Sequence, residues 1–223
     1  MNIANDGAQY GADQYRLARN FELEDKTFVL HGPDSQYVLS LNSRGKAAFQ
    51  SDGGIENTDC ECLKMDKDIW FVRFGQNLAV IELNQGLATL VLPTGHVFCT
   101  IGLPEQSSAE KRHGYTDEMT GTAVRWVLGA GRFTDHIYIS ADQCRTSWSP
   151  KETEFQEYAA KYIKIKDGAY LVDIDASAPE STAAPAGCSR VVALEDFEHV
   201  MLAGCAFTSA GPLMISGYGE FPA

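Results

Sequence analysis

The sequence predicts an all-β protein built from two antiparallel β-barrels in tandem. Short runs rich in Val, Ile, Phe, Tyr and Leu recur along all 223 residues, and Gly, Asn, Asp or Pro separates them. Helical periodicity is weak along most of the chain. The third observation is an internal repeat, which makes the second half of the chain a copy of the first.

The repeat has an offset of about 100 residues. LKMDKDIWFVRFG from Leu63 aligns with IKIKDGAYLVDID from Ile163, and QYVLSLN from Gln36 aligns with DHIYISAD from Asp135. LAVIELN and SRVVALED also match, at a larger offset. The difference is explained by an Ala/Ser/Pro-rich stretch (177–187) in the second copy, which we expect to be an exposed loop. Each copy holds enough strands to close into a small barrel, whose interior has room for side chains or one small ligand.

The repeat also predicts the domain boundaries. We expect an N-terminal arm over 1–20, a first barrel over 21–104, a polar linker over 105–114 and a second barrel over 115–223. The best helical candidate is KETEFQEYAAK over 151–161, although the neighbouring KYIKIKD alternates with the period of a strand.

Composition excludes several classes of partner. The formal net charge is −12, from 18 basic and 30 acidic residues, and no dense basic cluster could bind nucleic acid or an acidic membrane surface. No apolar run is long enough to span a bilayer, and the N-terminus does not resemble a signal peptide, so we expect a cytoplasmic protein. In that compartment the six cysteines are reduced. Cys60 and Cys62 face one side of a strand, as small buried hydrophobes rather than zinc ligands.

The strand DHIYISAD carries the main catalytic candidates. Alternation places His136, Tyr138 and Ser140 on one face and two isoleucines on the other. The polar face can line a cavity or simply meet water. In a cavity, His136 would act as acid or base and Tyr138 as a hydrogen-bond donor to a carbonyl or phenol.

Four further residues are predicted to bind substrate. Arg125 and Trp126 point to opposite faces of their strand, so one of them can face a cavity. Trp126, Trp148 and Tyr170 suit either an apolar pocket wall or plain barrel core. No nucleotide-binding, nucleophile-elbow or metal-ligand motif is present, and the five histidines are scattered, so we predict neither a cofactor nor a metal.

The second half resembles the C-terminal domain of molybdenum cofactor biosynthesis protein F (MoaF). The resemblance rests on five stretches, namely YTDEMTG (115–121), VRW (124–126), HIY (136–138), TSW (146–148) and AYL (169–171). The first half is similar to the N-terminal MoaF domain through its repeat order and the strand IWFVRFG. The family implies tandem calycin, or lipocalin-like, barrels, and it favours a cavity lined by His136 and Tyr138. It carries no established reaction.

The repeat unit is more distantly similar to phenolic acid decarboxylases, in which Tyr, Arg and Glu act on a hydroxycinnamate inside a small calycin barrel. Both relatives usually carry Ser-Trp-x-Glu after Tyr-Leu, where this chain has Asp173-Ile174-Asp175-Ala176. The inward carboxylate expected at Ala176 is missing, so the decarboxylase mechanism is not carried over.

Three functional hypotheses follow. The first is a cofactor-independent lyase, isomerase or cyclase that uses His136 and Tyr138 on a small, largely apolar substrate. The second is a non-catalytic carrier or sensor of a small hydrophobic or aromatic molecule. The third is a tandem scaffold whose barrels are filled by side chains, and a cavity too small for any ligand would distinguish it. All three exclude nucleic acid and membrane partners, and all leave a homodimer open.

Overall fold

A computed structural model describes residues 17–102, 112–129, 131–148, 155–177 and 188–221. It divides into two compact units, Ala18–Gly114 and Tyr115–Ala223, and Leu17 belongs with the second through a hydrogen bond from its N–H to Ser216 Oγ (2.8 Å). All regular structure in these ranges is β, so none of them forms a helix that could cross a bilayer. The predicted all-β class is therefore confirmed.

The first unit is a closed barrel of eight antiparallel strands. Each strand pairs with the next, and β1 closes the barrel on β8 through Leu30 opposite Ile101. Its interior is filled with apolar side chains, among them Phe49 and Phe74, whose ring centroids lie 5.0 Å apart. The strands are β1 Lys26–His31, β2 Gln36–Asn42, β3 Lys46–Ser51, β4 Gly54–Asp66, β5 Ile69–Phe74, β6 Asn77–Glu82, β7 Leu87–Leu92 and β8 Gly95–Ile101.

The second unit is also a closed eight-stranded antiparallel barrel, formed by β10–β17. Trp126 opposite Gly219 joins its first strand to its last, and Cys144 opposite Tyr158 joins β12 to β13. A two-residue strand, β9, lies beside β13. The strands are β9 Gly114–Tyr115, β10 Ala123–Gly129, β11 Arg132–Ser140, β12 Gln143–Trp148, β13 Gln156–Lys166, β14 Ala169–Asp175, β15 Cys188–Asp196, β16 Met201–Thr208 and β17 Gly211–Glu220.

The internal repeat is visible as two equivalent strand orders. The long hairpin β4–β5 recurs as β13–β14, and both copies turn through two residues. In the second copy these residues are Asp167 and Gly168, and Gly168 has φ +77°, a conformation that hairpin turns of this length require. Cys60 and Cys62 both lie in the first core, as their spacing predicts.

Some predictions about individual segments are wrong or fall outside the described residues. The helix over 151–161 is wrong from Gln156 onward, because Tyr158, Ala160 and Tyr162 alternate into the core of β13. His113, at the end of the predicted linker, is buried and donates from Nε2 to Glu82 Oε2 (3.0 Å). The N-terminal arm up to residue 16, the linker over 105–111 and the loop over 178–187 lie outside the described ranges.

Candidate functional site

A buried carboxylate joins the two catalytic candidates inside the second barrel. Glu195 accepts a hydrogen bond from His136 Nδ1 at Oε1 (2.8 Å) and a short one from the Tyr138 hydroxyl at Oε2. The three side chains are 0–1% exposed. Because a buried charge is costly unless it is paired and hydrogen-bonded, this arrangement satisfies both oxygens of Glu195.

Strand alternation places all three side chains on the inner surface. On β11, His136 and Tyr138 are buried at alternate positions with Thr134. On β15, Val191 and Ala193 belong to the core, and Glu195 continues the same face two residues later. The two strands contribute residues 59 positions apart in the chain, so only barrel closure brings the network together.

The network determines which atom of His136 is free to react. A carboxylate oxygen accepts, so the proton bonded to Glu195 lies on Nδ1, and in the neutral ring Nε2 carries the lone pair. Nε2 is buried and has no hydrogen-bond partner among the described residues. A histidine oriented at one nitrogen by a carboxylate and free at the other is the arrangement of a general base.

The Tyr138 hydroxyl is hydrogen-bonded to Glu195. Burial, followed by the nearby Glu195 carboxylate, raises the pKa of the Tyr138 hydroxyl well above 10, so the phenol keeps its proton. That proton is given to Oε2 of Glu195. Tyr138 therefore contacts the carboxylate that orients His136, and its role as a hydrogen-bond donor to a ligand stays a prediction.

Three more buried polar atoms near His136 have no partner within the described part of the chain. They are the hydroxyls of Thr134 and Thr146 and the indole N–H of Trp126. Thr146 lies directly opposite His136 on β12, and Trp126 lies opposite Thr134 on β10. Burial raises the pKa of Tyr138 and the nearby indole lowers it, yet the indole makes no hydrogen bond of normal geometry. Unpaired polar atoms are costly in a core, so together these atoms form a polar surface whose usual hydrogen-bond partners are missing among the described residues.

Aromatic rings surround this polar surface. Phe197 contacts Trp126, Tyr138 and Tyr170 edge to face, with ring centroids 5.8–6.4 Å apart. Tyr162 packs against Tyr138 in the same way at 5.4 Å, and Trp148 packs on the same core. These contacts place three predicted binding residues, Trp126, Trp148 and Tyr170, around one barrel interior.

The turn that carries Phe197 is strained beside the site. Asp196 Oδ1 accepts the backbone N–H groups of Glu198 and His199, both at 2.9 Å, which fixes the turn after Glu195. Val200 has φ +54°, an uncommon conformation for a β-branched residue. Strain of this kind is concentrated at functional sites, where the surrounding structure holds it.

Arg125 does not belong to the buried network. It lies on the outer face of β10, where its guanidinium makes two hydrogen bonds to Asp135 (2.6 and 3.0 Å) and stacks on Phe133. A surface cavity of about 300 Å³ borders it. The cavity is lined by Ala123, Val124, Arg125, Asp135, His136, Ile137, Phe155, Glu220 and Phe221. Of the pair on β10, Trp126 is the residue that faces the interior.

Sequence reasoning missed Glu195 and Phe197. Ala176 is a buried core residue with no carboxylate, as the departure from the related families indicates, and the interior carboxylate comes from β15 instead. The sequence carries little signal for Glu195, because β15 is buried at every residue from Val191 to Asp196. Asp173, on the outer face of β14, is largely buried and accepts two hydrogen bonds from Arg190 (2.8 and 2.6 Å).

The raised pKa of Tyr138 predicts a loss of stability at alkaline pH. An unfolded tyrosine ionises near pH 10, whereas the buried phenol stays protonated, so the folded state binds more protons above that pH. The stabilisation is complete below about pH 10 and falls by about 1.4 kcal/mol per pH unit above it for each such phenol. Urea unfolding measured between pH 9 and 11 should show that the free energy of unfolding falls less steeply with pH for Tyr138→Phe than for the wild type. Equal slopes would contradict this assignment.

Comparisons with known proteins do not establish a family. No protein-family model and no curated protein matches the chain. Among solved structures, a putative beta-lactamase from Burkholderia vietnamiensis aligns with 47% of this chain and 95% of its own, at 13% identity and a TM-score of 0.38. A DNA polymerase sliding clamp from Pseudomonas aeruginosa aligns with 99% of this chain and 82% of its own, at 6% identity and a TM-score of 0.15. At these TM-scores neither likeness bears on fold or function, and the resemblance to MoaF stays a prediction.

Proposed function

We propose that the second barrel is a cofactor-independent acid–base enzyme, of the lyase, isomerase or cyclase kind, for a small and largely apolar substrate. One observation carries the proposal. His136 is oriented at Nδ1 by the buried Glu195, and its Nε2 has no partner among the described residues although it is buried. A histidine needed only for structure would be expected to have both nitrogens hydrogen-bonded.

The chemistry follows from these contacts. Nε2 of His136 takes a proton from a C–H or O–H group of the substrate, and the bonding electrons remain on the substrate. The imidazolium that forms is stabilised by Glu195, which Tyr138 holds in place through Oε2. The developing negative oxygen accepts hydrogen bonds from the unpaired indole N–H of Trp126 or a threonine hydroxyl. Nε2 then returns the proton to a different atom of the substrate, which completes an isomerisation, an elimination or a ring closure.

The aromatic interior sets the substrate class. Trp126, Trp148, Tyr170 and Phe197 would contact a small hydrophobic or aromatic molecule, as in most small-molecule sites. We further propose that the chain is a divergent relative of MoaF and works in the cytoplasm. The six free cysteines support that location.

A non-catalytic carrier is the second candidate, and the aromatic interior favours it equally. The two functions differ in what His136 must do. A carrier needs His136 only as a hydrogen-bond acceptor, so its ligand would be released unchanged. The enzyme requires a proton to move.

The proposal predicts that the protein catalyses proton exchange next to a carbonyl. The probe is 2-tetralone, a small apolar ketone, and its α-proton exchange in D₂O is followed by ¹H NMR. We expect wild-type protein to accelerate the exchange, and His136→Gln to reduce the acceleration by a factor of about 10²–10⁴, the usual contribution of a general base.

His31→Gln is the matched control, because it makes the same chemical change in β1 of the first barrel. It should exchange 2-tetralone at the wild-type rate. If wild type and His136→Gln bind the ketone and neither accelerates the exchange, the carrier function replaces the enzyme.

A further inference from the structure

We infer that the group of the substrate that meets His136 is an uncharged oxygen, a hydroxyl or a carbonyl, and neither a carboxylate nor an ammonium group. The inference rests on the proposed function and specifies its substrate class. It depends on two independent properties of the interior, which are its charge and its mixture of donors and acceptors.

The charge of the interior argues against an anionic group. Glu195 is a buried carboxylate beside His136. Arg132, which begins β11, is four residues from His136, about 13 Å along the strand. Five other basic side chains of this barrel have partners elsewhere, in the pairs Arg125–Asp135, Arg145–Glu157, Lys164–Glu118, Lys166–Glu198 and Arg190–Asp173. Lys161 is exposed on β13, where its ammonium group lies over the Tyr115 ring. A substrate carboxylate next to His136 would therefore face a like charge without a neighbouring cation.

The unpaired polar atoms argue for a group that both donates and accepts. The Trp126 indole can only donate, whereas Nε2 of the neutral His136 can only accept. The hydroxyls of Thr134 and Thr146 can do either. An ammonium group cannot accept from the indole, and an ionised carboxylate cannot donate to Nε2. A hydroxyl satisfies both, and a carbonyl accepts from the indole or a threonine while Nε2 takes the neighbouring proton.

Three probes with one ring and different charges test the inference. They are benzyl alcohol, benzoate and benzylammonium, titrated near neutral pH against the full chain by ligand-observed NMR. We expect benzyl alcohol to bind at least about tenfold more tightly than either ion. Benzoate would be repelled by Glu195, and benzylammonium would leave the Trp126 indole N–H without an acceptor.

Thr146→Val and Phe155→Ala locate the probe. Thr146→Val removes a hydroxyl opposite His136 and keeps the shape of the side chain, so it should weaken benzyl alcohol binding by about tenfold while the fold is retained. Phe155 is exposed and lines the surface cavity, which His136 borders without exposing Nε2, so Phe155→Ala should leave binding at Nε2 unchanged.

Each result has a distinct meaning. Tighter binding of the alcohol, lost in Thr146→Val, supports the inference. Equal or tighter binding of either ion, no binding of any probe, or binding lost in Phe155→Ala overturns it. The 2-tetralone exchange of the wild-type protein tests the proposed function separately.

Discussion

Replacing Glu195 by alanine is expected to lower the free energy of unfolding of the second barrel by about 3–5 kcal/mol, the cost of removing one partner from a buried charged network. The substitution leaves Nδ1 of His136 and the hydroxyl of Tyr138 without their shared acceptor in a region closed to water. Urea unfolding followed by tryptophan fluorescence measures the loss.

Two further variants separate this cause from a general loss of charge. Glu157→Ala removes a carboxylate that is half exposed and paired with Arg145 on the surface, so it should cost only about 0–1 kcal/mol. Glu195→Gln keeps the shape of the side chain and one acceptor, and its cost should lie between the two. If Glu195→Ala unfolds at the same urea concentration as Glu157→Ala, the network does not stabilise the barrel.

Local alternation and the repeat were sufficient to predict the fold. A strand buries every second residue, and turns that need glycine or a polar residue separate one strand from the next. The hairpins β4–β5 and β13–β14 each turn through two residues, and the alignment of their sequences at an offset of 100 residues predicted two copies of one barrel. The segment from Gln156 has the composition of a helix, because Glu, Gln, Ala and Lys favour helices locally, whereas barrel packing requires Tyr158 and Tyr162 to face inward.

The candidate site could be predicted only where it lies on one strand. His136 and Tyr138 share β11, so alternation alone places them on one face. Glu195 lies on β15, and no local rule indicates which distant strand faces β11 across a barrel. Alternation also shows that Arg125 and Trp126 point opposite ways, but choosing between them requires the burial that the closed barrel creates.

Replacing Phe74 by alanine is expected to destabilise the first barrel by about 3–5 kcal/mol and to leave the candidate site functional. Phe74 is fully buried, and its ring packs against Phe49 and other core residues, so truncation leaves a cavity as well as losing apolar burial. The residues assigned to proton transfer, His136, Tyr138 and Glu195, all belong to the second unit.

The experiment combines urea unfolding with the 2-tetralone exchange, measured at low temperature where the variant is still folded. Ile55→Ala is the control, because Ile55 is 66% exposed on β4 and its truncation should change stability by less than about 0.5 kcal/mol. A folded Phe74→Ala protein that has lost the exchange would show that the first barrel contributes directly to the chemistry. Wild-type exchange in a destabilised protein would instead assign the chemistry to the second barrel, since a cavity in one core does not displace a network whose hydrogen bonds lie entirely within the other.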